Sequence, residues 1–385
     1  MVQKFVYLFF AIIGSFLINR ILWQFAGRLR AVSNNHEGGD QVRWEYGTKP
    51  LVGGITFFVI FILTALVHCL FNPLDESTRQ LFIAPLAVGT MGFLIGLADD
   101  AFTTKPYLKI LGQIFCGMIL ISMGCGIQMY GIPLLDGFLT LLWVVGLMNS
   151  LNMLDNMDGV TSSVSIAITT SIFFIARSGR HGEDLNSYVM VGLVGALIGF
   201  LILNWHPSKI YMGDSGSQFI GAILAAWGIQ YLWNFDKISF QALSFSQTWL
   251  IAILVFLPTM IDTLFVVVGR ISKGKSPAIG GRDHTTHHLA YYGVPIIWIP
   301  IIYTTFGVFT GLLALYILHQ IPIWSNSFHF PLILGFIITA NLVMLYFYRK
   351  GSQIQNIAKE SLREPENTFE VTTSEEIAPT TSRII

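Results

Sequence analysis

Long apolar runs separated by short polar strings recur along the whole chain, and run length sets the first inference. A helix needs about 20 mainly apolar residues to cross the hydrocarbon of a bilayer. Runs of that order fall at 2–23, 51–71, 81–98, 108–126, 138–154, 160–177, 188–205, 217–233, 248–269, 295–319 and 330–348, predicting an all-α polytopic membrane protein of about eleven transmembrane helices. The first run is too long for the apolar core of a secretory signal and no small-residue cleavage pattern follows it, so it reads as a retained helix. No linker is long enough to hold a soluble domain. Residues 1–350 therefore read as one transmembrane domain, and 351–385, rich in Glu, Ser and Thr, as a polar disordered tail.

Composition agrees. Hydrophobic residues make up 53% of the chain and charged ones 11%, with a mean hydropathy of +0.63, against roughly 25% charged in soluble domains. The net charge of zero argues for neither a nucleic acid nor an acidic partner. Cys69, Cys116 and Cys125 lie in or beside apolar runs without metal-ligand spacing, so they read as core residues and imply no disulfides.

The placement of charge adds orientation. With eleven spans, the odd-numbered loops and the C-terminal tail share one side of the membrane. That side carries seventeen of the 22 basic residues; the other carries Lys4, Arg79, Arg177, Arg180 and Lys237. The positive-inside rule puts the basic side in the cytoplasm and the N-terminus outside.

Ionisable groups in or at a membrane are costly and are functional candidates by default. Asp99 and Asp100 end the third span in GLADD. Asp155 and Asp158 follow the fifth in NSLNMLDNMDGV, and Asp214 follows the seventh in NWHPSKIYMGDSGS. His284, His287 and His288 lie in GRDHTTHHL after the ninth. All occupy odd loops and so are expected to converge on one cavity. An isolated Asp at a helix end is more often a cap or a solvated residue, and Asp158-Gly159 or Asp214-Ser215-Gly216 reads equally as turn chemistry. Five neighbouring carboxylates without matching arginines nonetheless repel one another. A hard cation relieves that, and Mg²⁺ takes one or two carboxylates plus phosphate oxygens. Glycines in NMDGV and MGDSGS let backbone approach a phosphate closely. The histidine spacing resembles a zinc site, but further Cys or His ligands are absent nearby; imidazoles donating to phosphate beside Arg282 and Lys275 fit better.

Taken together these strings resemble the polyprenyl-phosphate N-acetylhexosamine-1-phosphate transferases, the superfamily that includes the MurNAc-pentapeptide translocase of peptidoglycan synthesis. The resemblance runs from about Lys49 to His288. It comprises KPLVGG, GLADD followed by KPYLKILGQ, N-x-x-N-x-x-D-x-x-D-G from Asn149, N-x-x-P-x-x-x-Y-M-G-D-S-G-S from Asn204, and the late histidine loop. It implies a multi-pass enzyme of the bacterial inner membrane with its site facing the cytoplasm. The enzyme would move an N-acetylhexosamine-1-phosphate, by default GlcNAc-1-phosphate, from a UDP-sugar to polyprenyl phosphate and release UMP, as the first membrane step of a cell-envelope glycan pathway.

The resemblance also implies roles. Asp99 and Asp100 would lie at the catalytic centre, near Mg²⁺ (or Mn²⁺) and the lipid phosphate, with Asp214 and Asp100 as metal ligands. Lys109 and Lys49 would contact phosphates or nucleotide. Asn149, Asn152, Asp155, Asp158 and Asn204 would line the nucleotide pocket, with Tyr211 stacked on uracil. His284, His287 and His288, beside Arg282, would hold the diphosphate or sugar.

Two departures matter. The three consecutive histidines of the translocase branch are absent, which disfavours a MurNAc-pentapeptide donor. The H-x-H-H string of the other branch is H-T-T-H-H here, which loosens the assignments of His287 and His288. A rival of another class is an ion-coupled transporter with carboxylate cation sites; the carboxylates' place in loops, and the lack of an inverted repeat, argue against it. The chain does not fix the oligomeric state, and a homodimer is one reading.

Overall fold

A computed structural model describes residues 2–29, 49–72, 76–179, 184–239, 243–277, 280–320 and 323–361. Its helices are α1 (Val2–Leu29), α2 (Gly53–Phe71), α3 (Glu76–Phe102), α4 (Pro106–Ser122), α5 (Pro133–Leu154), α6 (Val160–Arg177), α7 (Leu185–Asn204), α8 (Gly213–Gly228), α9 (Phe235–Ile238), α10 (Phe245–Ile271), α11 (Thr285–Tyr292), α12 (Trp298–His319) and α13 (His329–Ser361). The described residues contain no strand; an isolated parallel bridge joins Leu51 to Tyr211.

The chain is an all-α polytopic membrane protein. Among the described residues, nine helices are long and apolar enough to cross a bilayer: α1, α2, α3, α5, α6, α7, α10, α12 and α13. The remaining two apolar runs also form helices, both shorter. One is the 17-residue α4; the other is the 16-residue α8, extended by a π-type turn at Ile229–Trp233. α13 runs beyond the expected boundary at 350, because the segment after Gly351 (SQIQNIAKES) contains no helix breaker. Residues 362–385 of the expected tail lie outside the described residues, as do Arg30, Arg43, Arg180, Arg363 and Arg383 of the charge count.

α8 is the axis of the bundle. Each of its residues is buried, the state expected of a helix without a polar face. Small residues let its neighbours close in. On α3, Gly89, Gly92 and Gly96 form a stripe against it: a Cβ on Gly96 would lie 2.1 Å from the carbonyl oxygen of Asp214, and one on Gly92 would lie 2.8 Å from that of Gln218. This crossing brings the C-terminal end of α3, with Asp99 and Asp100, to the first turn of α8.

Candidate active site

The acidic residues meet where α3, α4, α5 and α8 converge. Lys109, in the first turn of α4, reaches Asp99 Oδ2 at 2.8 Å, makes a short contact with Asp214 Oδ2, and lies 3.4 Å from Asn152 Oδ1. Asn152 donates to Asp214 Oδ1 and to Ser217 Oγ, each at 2.9 Å. Asp99 Oδ1 accepts the amide (2.8 Å) and hydroxyl (2.5 Å) of Thr104, which fixes the turn leading into α4. Asp100 is used differently. Its two oxygens accept the amides of Asp214 (2.8 Å) and Ser215 (2.9 Å) and so cap the start of α8 from another helix. The expectation that Asp100 ligates metal therefore meets a carboxylate whose oxygens already serve backbone donors. Gly213 makes room for it: φ is +75°, and a Cβ would lie 2.8 Å from Asp100 Oδ2.

One layer deeper, Gln113 Nε2 donates to Asn149 Oδ1 (3.2 Å) and Gln218 Oε1 (3.1 Å), and Asn149 returns a bond to Gln113 Oε1 at 2.6 Å. Asn149 thus links α5 to α4.

The α5–α6 and α7–α8 loops interlock beside this cluster. Asp158 accepts from Ser208 Oγ (2.7 Å) and Ser208 N (3.0 Å) and lies 3.2 Å from His206 Nδ1. Lys49 donates to the same Ser208 hydroxyl at 3.0 Å, with its ammonium 5.0 Å from the centre of the Tyr211 ring. Asn204 accepts the Gly159 amide (3.0 Å) and donates to the Ile210 carbonyl (2.9 Å), so both ends of its side chain staple loops together. The Tyr211 ring is only 2% exposed, and its backbone pairs with Pro50, Val52 and Gly53 of KPLVGG. The expected stacking of Tyr211 on a base would need the ring to be uncovered from this arrangement. Asp155 ends α5 and is buried.

The histidines ride on α11, and the residue that organises them was overlooked in the sequence. Asp262, fully buried in α10, lies 2.9 Å from His284 Nδ1. Its other oxygen accepts the amide (2.8 Å) and hydroxyl (2.5 Å) of Thr285, whose hydroxyl also makes a short contact with the Tyr303 hydroxyl. The signal was an Asp inside the apolar string LPTMIDTLF. Thr286 Oγ1 donates to Asn156 Oδ1 at 2.7 Å, tying α11 to the α5–α6 loop. Burial lowers His287 to about 3 and His288 to about 4. Both are therefore neutral imidazoles at pH 7, which narrows the expected mixture of neutral and charged rings. His288 packs on Tyr348 of α13 with ring centres 4.1 Å apart. Arg270 grips Asp283 through Nε (2.9 Å) and Nη2 (2.7 Å), holding the loop before α11. That ion pair keeps the Asp283 carboxyl below its usual range against the opposing effect of burial. Arg282, partly buried, offers its carbonyl to the Tyr291 hydroxyl at 3.5 Å.

These bonds join all four motif-bearing loops at one end of the bundle. Among the described residues no three His, Cys, Asp or Glu side chains are grouped as if to hold one metal ion. The cluster sets two carboxylates, Asp99 and Asp214, on the Lys109 ammonium, with Asp100 bonded to the amides beside them. Asp99 and Asp214 converge on one cation position, a donor set suited to Mg²⁺ that completes its shell with water and phosphate oxygens.

Comparison with known proteins gives the same direction. Residues 82–232 match the model of Glycosyl transferase family 4. The chain is 25% identical over 289 residues, 72% of itself and 76% of the other, to the probable undecaprenyl-phosphate N-acetylglucosaminyl 1-phosphate transferase of Bacillus subtilis. It is 30% identical over 269 residues, 63% of itself and 66% of the other, to the decaprenyl-phosphate N-acetylglucosaminephosphotransferase of Mycolicibacterium smegmatis. A phospho-N-acetylmuramoyl-pentapeptide-transferase of Streptococcus pneumoniae is 28% identical over 243 residues, 55% of the chain and 72% of that protein.

Proposed function

We infer, from the chain's membership of glycosyl transferase family 4, that it transfers a sugar phosphate from a nucleotide sugar to polyprenyl phosphate in the membrane. In its finer form the donor is a UDP-N-acetylhexosamine, by default UDP-GlcNAc, and the products are UMP and a polyprenyl-diphosphate-linked sugar. The observation that carries the reading is the Lys109 ammonium set between Asp99 and Asp214, with Asn152 of α5 bonded to the first turn of α8 beside them.

The reaction balances without a net proton. An oxygen of the polyprenyl phosphate bonds to the sugar-bearing phosphorus, the bond from that phosphorus to the bridging oxygen breaks, and the electron pair leaves on UMP. Such a transfer needs in-line positioning and charge neutralisation. Lys109 supplies fixed positive charge beside the reacting phosphates, and Asp99 holds Lys109 in place. Asp214, with Asp99 beside it, would hold Mg²⁺, which would neutralise phosphate charge; Mn²⁺ would substitute. The site opens to the cytoplasm in the eleven-span, N-outside topology, since the basic residues concentrate on that side. A MurNAc-pentapeptide donor is the second reading, favoured by the Streptococcus relative and opposed by H-T-T-H-H in place of three consecutive histidines.

The test is purified protein in detergent with undecaprenyl phosphate and a panel of UDP-sugars, products read by mass spectrometry. UMP and lipid-diphosphate-GlcNAc are expected with Mg²⁺ or Mn²⁺, little with Ca²⁺ and none with EDTA. Turnover that persists in EDTA would remove the metal from the proposal. Activity confined to the pentapeptide donor would select the second reading, and no UMP from any donor would end both.

A further inference from the structure

Asp262 sits outside every motif string, and its contact with His284 has no part in the reading so far. Three polar groups face the two Asp262 oxygens: His284 Nδ1 on one, and the amide and hydroxyl of Thr285, both donating, on the other. A carboxylate that only accepts satisfies this set, whereas a carboxylic acid would turn its own proton against one of the donors. Asp262 has no exposure to solvent, and the ring facing its second oxygen is that of His284. A buried anion requires a nearby positive charge or dense hydrogen bonding. With Nδ1 committed to Asp262, Nε2 is the nitrogen left to meet a substrate. His287 lies edge-on to His284, ring centres 5.3 Å apart.

We propose that Asp262 is a positioning residue for the transfer: it fixes the His284 ring and offsets its charge, so that Nε2–H donates to a diphosphate oxygen of the nucleotide sugar. This rests on the transferase reading above. A carboxylate that orients one ring nitrogen and compensates an imidazolium is an established device for aiming the other nitrogen. No proton changes hands and no bond to His284 forms. The contribution is a charge-assisted hydrogen bond to an oxygen that gains charge as the phosphorus–oxygen bond breaks. The gain is larger in the transition state than in the bound donor, so the loss should appear in kcat rather than KM.

The experiment compares Asp262→Asn, His284→Gln, the double variant and Thr285→Val in the UMP-release assay, with melting temperature in detergent as the check on folding. Asp262→Asn and His284→Gln should each lower kcat about 100-fold, with KM for the donor within threefold of wild type. The double variant should be no worse than about twice the poorer single, because both remove one device. Thr285→Val, which strips a hydroxyl from the same carboxylate but spares His284, should lose less than fivefold. A double variant whose loss is the product of the singles would overturn the proposal. So would a Thr285→Val enzyme as damaged as Asp262→Asn, which would mean that Asp262 acts by starting α11. If Asp262→Asn does not fold, His284→Gln decides: normal turnover there overturns the idea. Wild-type protein that releases no UMP would sink the transferase reading itself, whereas an active wild type with an equally active Asp262→Asn would remove Asp262 alone.

Discussion

Two helix starts in this protein are held by a carboxylate from a different helix. Asp100 on α3 accepts two amides at the start of α8 and delivers Asp214. Asp262 on α10 accepts an amide at the start of α11 and delivers His284. The positive end of each helix favours the anion, and in each case the captured turn carries a candidate functional side chain. The difference lies in the counter-charge. Around α8 a lysine bridges Asp99 and Asp214, so the first site is an ion-paired cluster with an excess of negative charge. Around α11 the nearest partner is an imidazole, and the two following histidines are buried and neutral. One device appears twice, once beside a lysine-bridged pair of carboxylates and once beside an imidazole ring.

Removing the lysine should break the first site outright. In Lys109→Met, Asp99 and Asp214 lose their shared partner in a largely buried setting; breaking a buried pair in this way typically costs about 3–5 kcal/mol. Turnover should fall at least about 1000-fold, and the melting temperature should drop by several degrees. Lys109→Arg should retain more of both, because the charge survives although the geometry does not. A Lys109→Met protein that melts as wild type and keeps a tenth of its turnover would show that the cluster is held by other means.

The two acidic residues of the α8 device should separate. Asp214→Asn should remain folded but lose at least about 100-fold in turnover, since a neutral amide oxygen binds Mg²⁺ poorly. Asp100→Asn keeps one acceptor and turns an NH₂ toward the second amide. It should cost about 1–2 kcal/mol of stability, the scale of a lost helix cap, with a smaller fall in turnover. If Asp100→Asn were the more inactive and the more stable of the two, Asp100 rather than Asp214 would be the residue at the chemistry.

Much of this was legible because membrane helices announce themselves. Every apolar run became a helix, and the shared loop side of Asp99, Asp158, Asp214 and His284 forecast their convergence. Tyr211, Asn149 and Asn204 were harder. A motif string gives spacing but not the direction of a side chain, and here those side chains point into joints: Tyr211 against KPLVGG, Asn204 across two loops, Asn149 onto Gln113. Asp262 was missed for a different reason. It stands alone inside an apolar span, and attention to clusters passed over an isolated charge whose partner lies 22 residues away. The helical course of α13 past Gly351 was hidden as well. Polar composition suggested a disordered tail, whereas packing against α11 supports a helix there: a Cβ on Gly351 would lie 2.3 Å from the His288 carbonyl oxygen.

At neutral pH the smallest effect expected is that of the buried histidines, which show themselves in pH dependence and belong to the second site. His287 and His288 are lowered to about 3 and about 4 by burial, against an ordinary value near 6.5. Between those limits an unfolded chain binds protons that the folded one refuses, so stability must fall as pH is lowered from about 6.5 toward 4. The slope is at most about 1.4 kcal/mol per pH unit for each histidine. Above pH 6.5 neither histidine contributes a slope, because both states are neutral. Melting curves in detergent at half-unit steps from pH 7.5 to 4.5 should show this decline. His288→Phe keeps a ring against Tyr348 but cannot titrate, and should remove part of the slope without lowering stability much at pH 7.5. A decline that His288→Phe leaves untouched would shift the pH sensitivity away from the histidine helix and toward the carboxylates around Lys109.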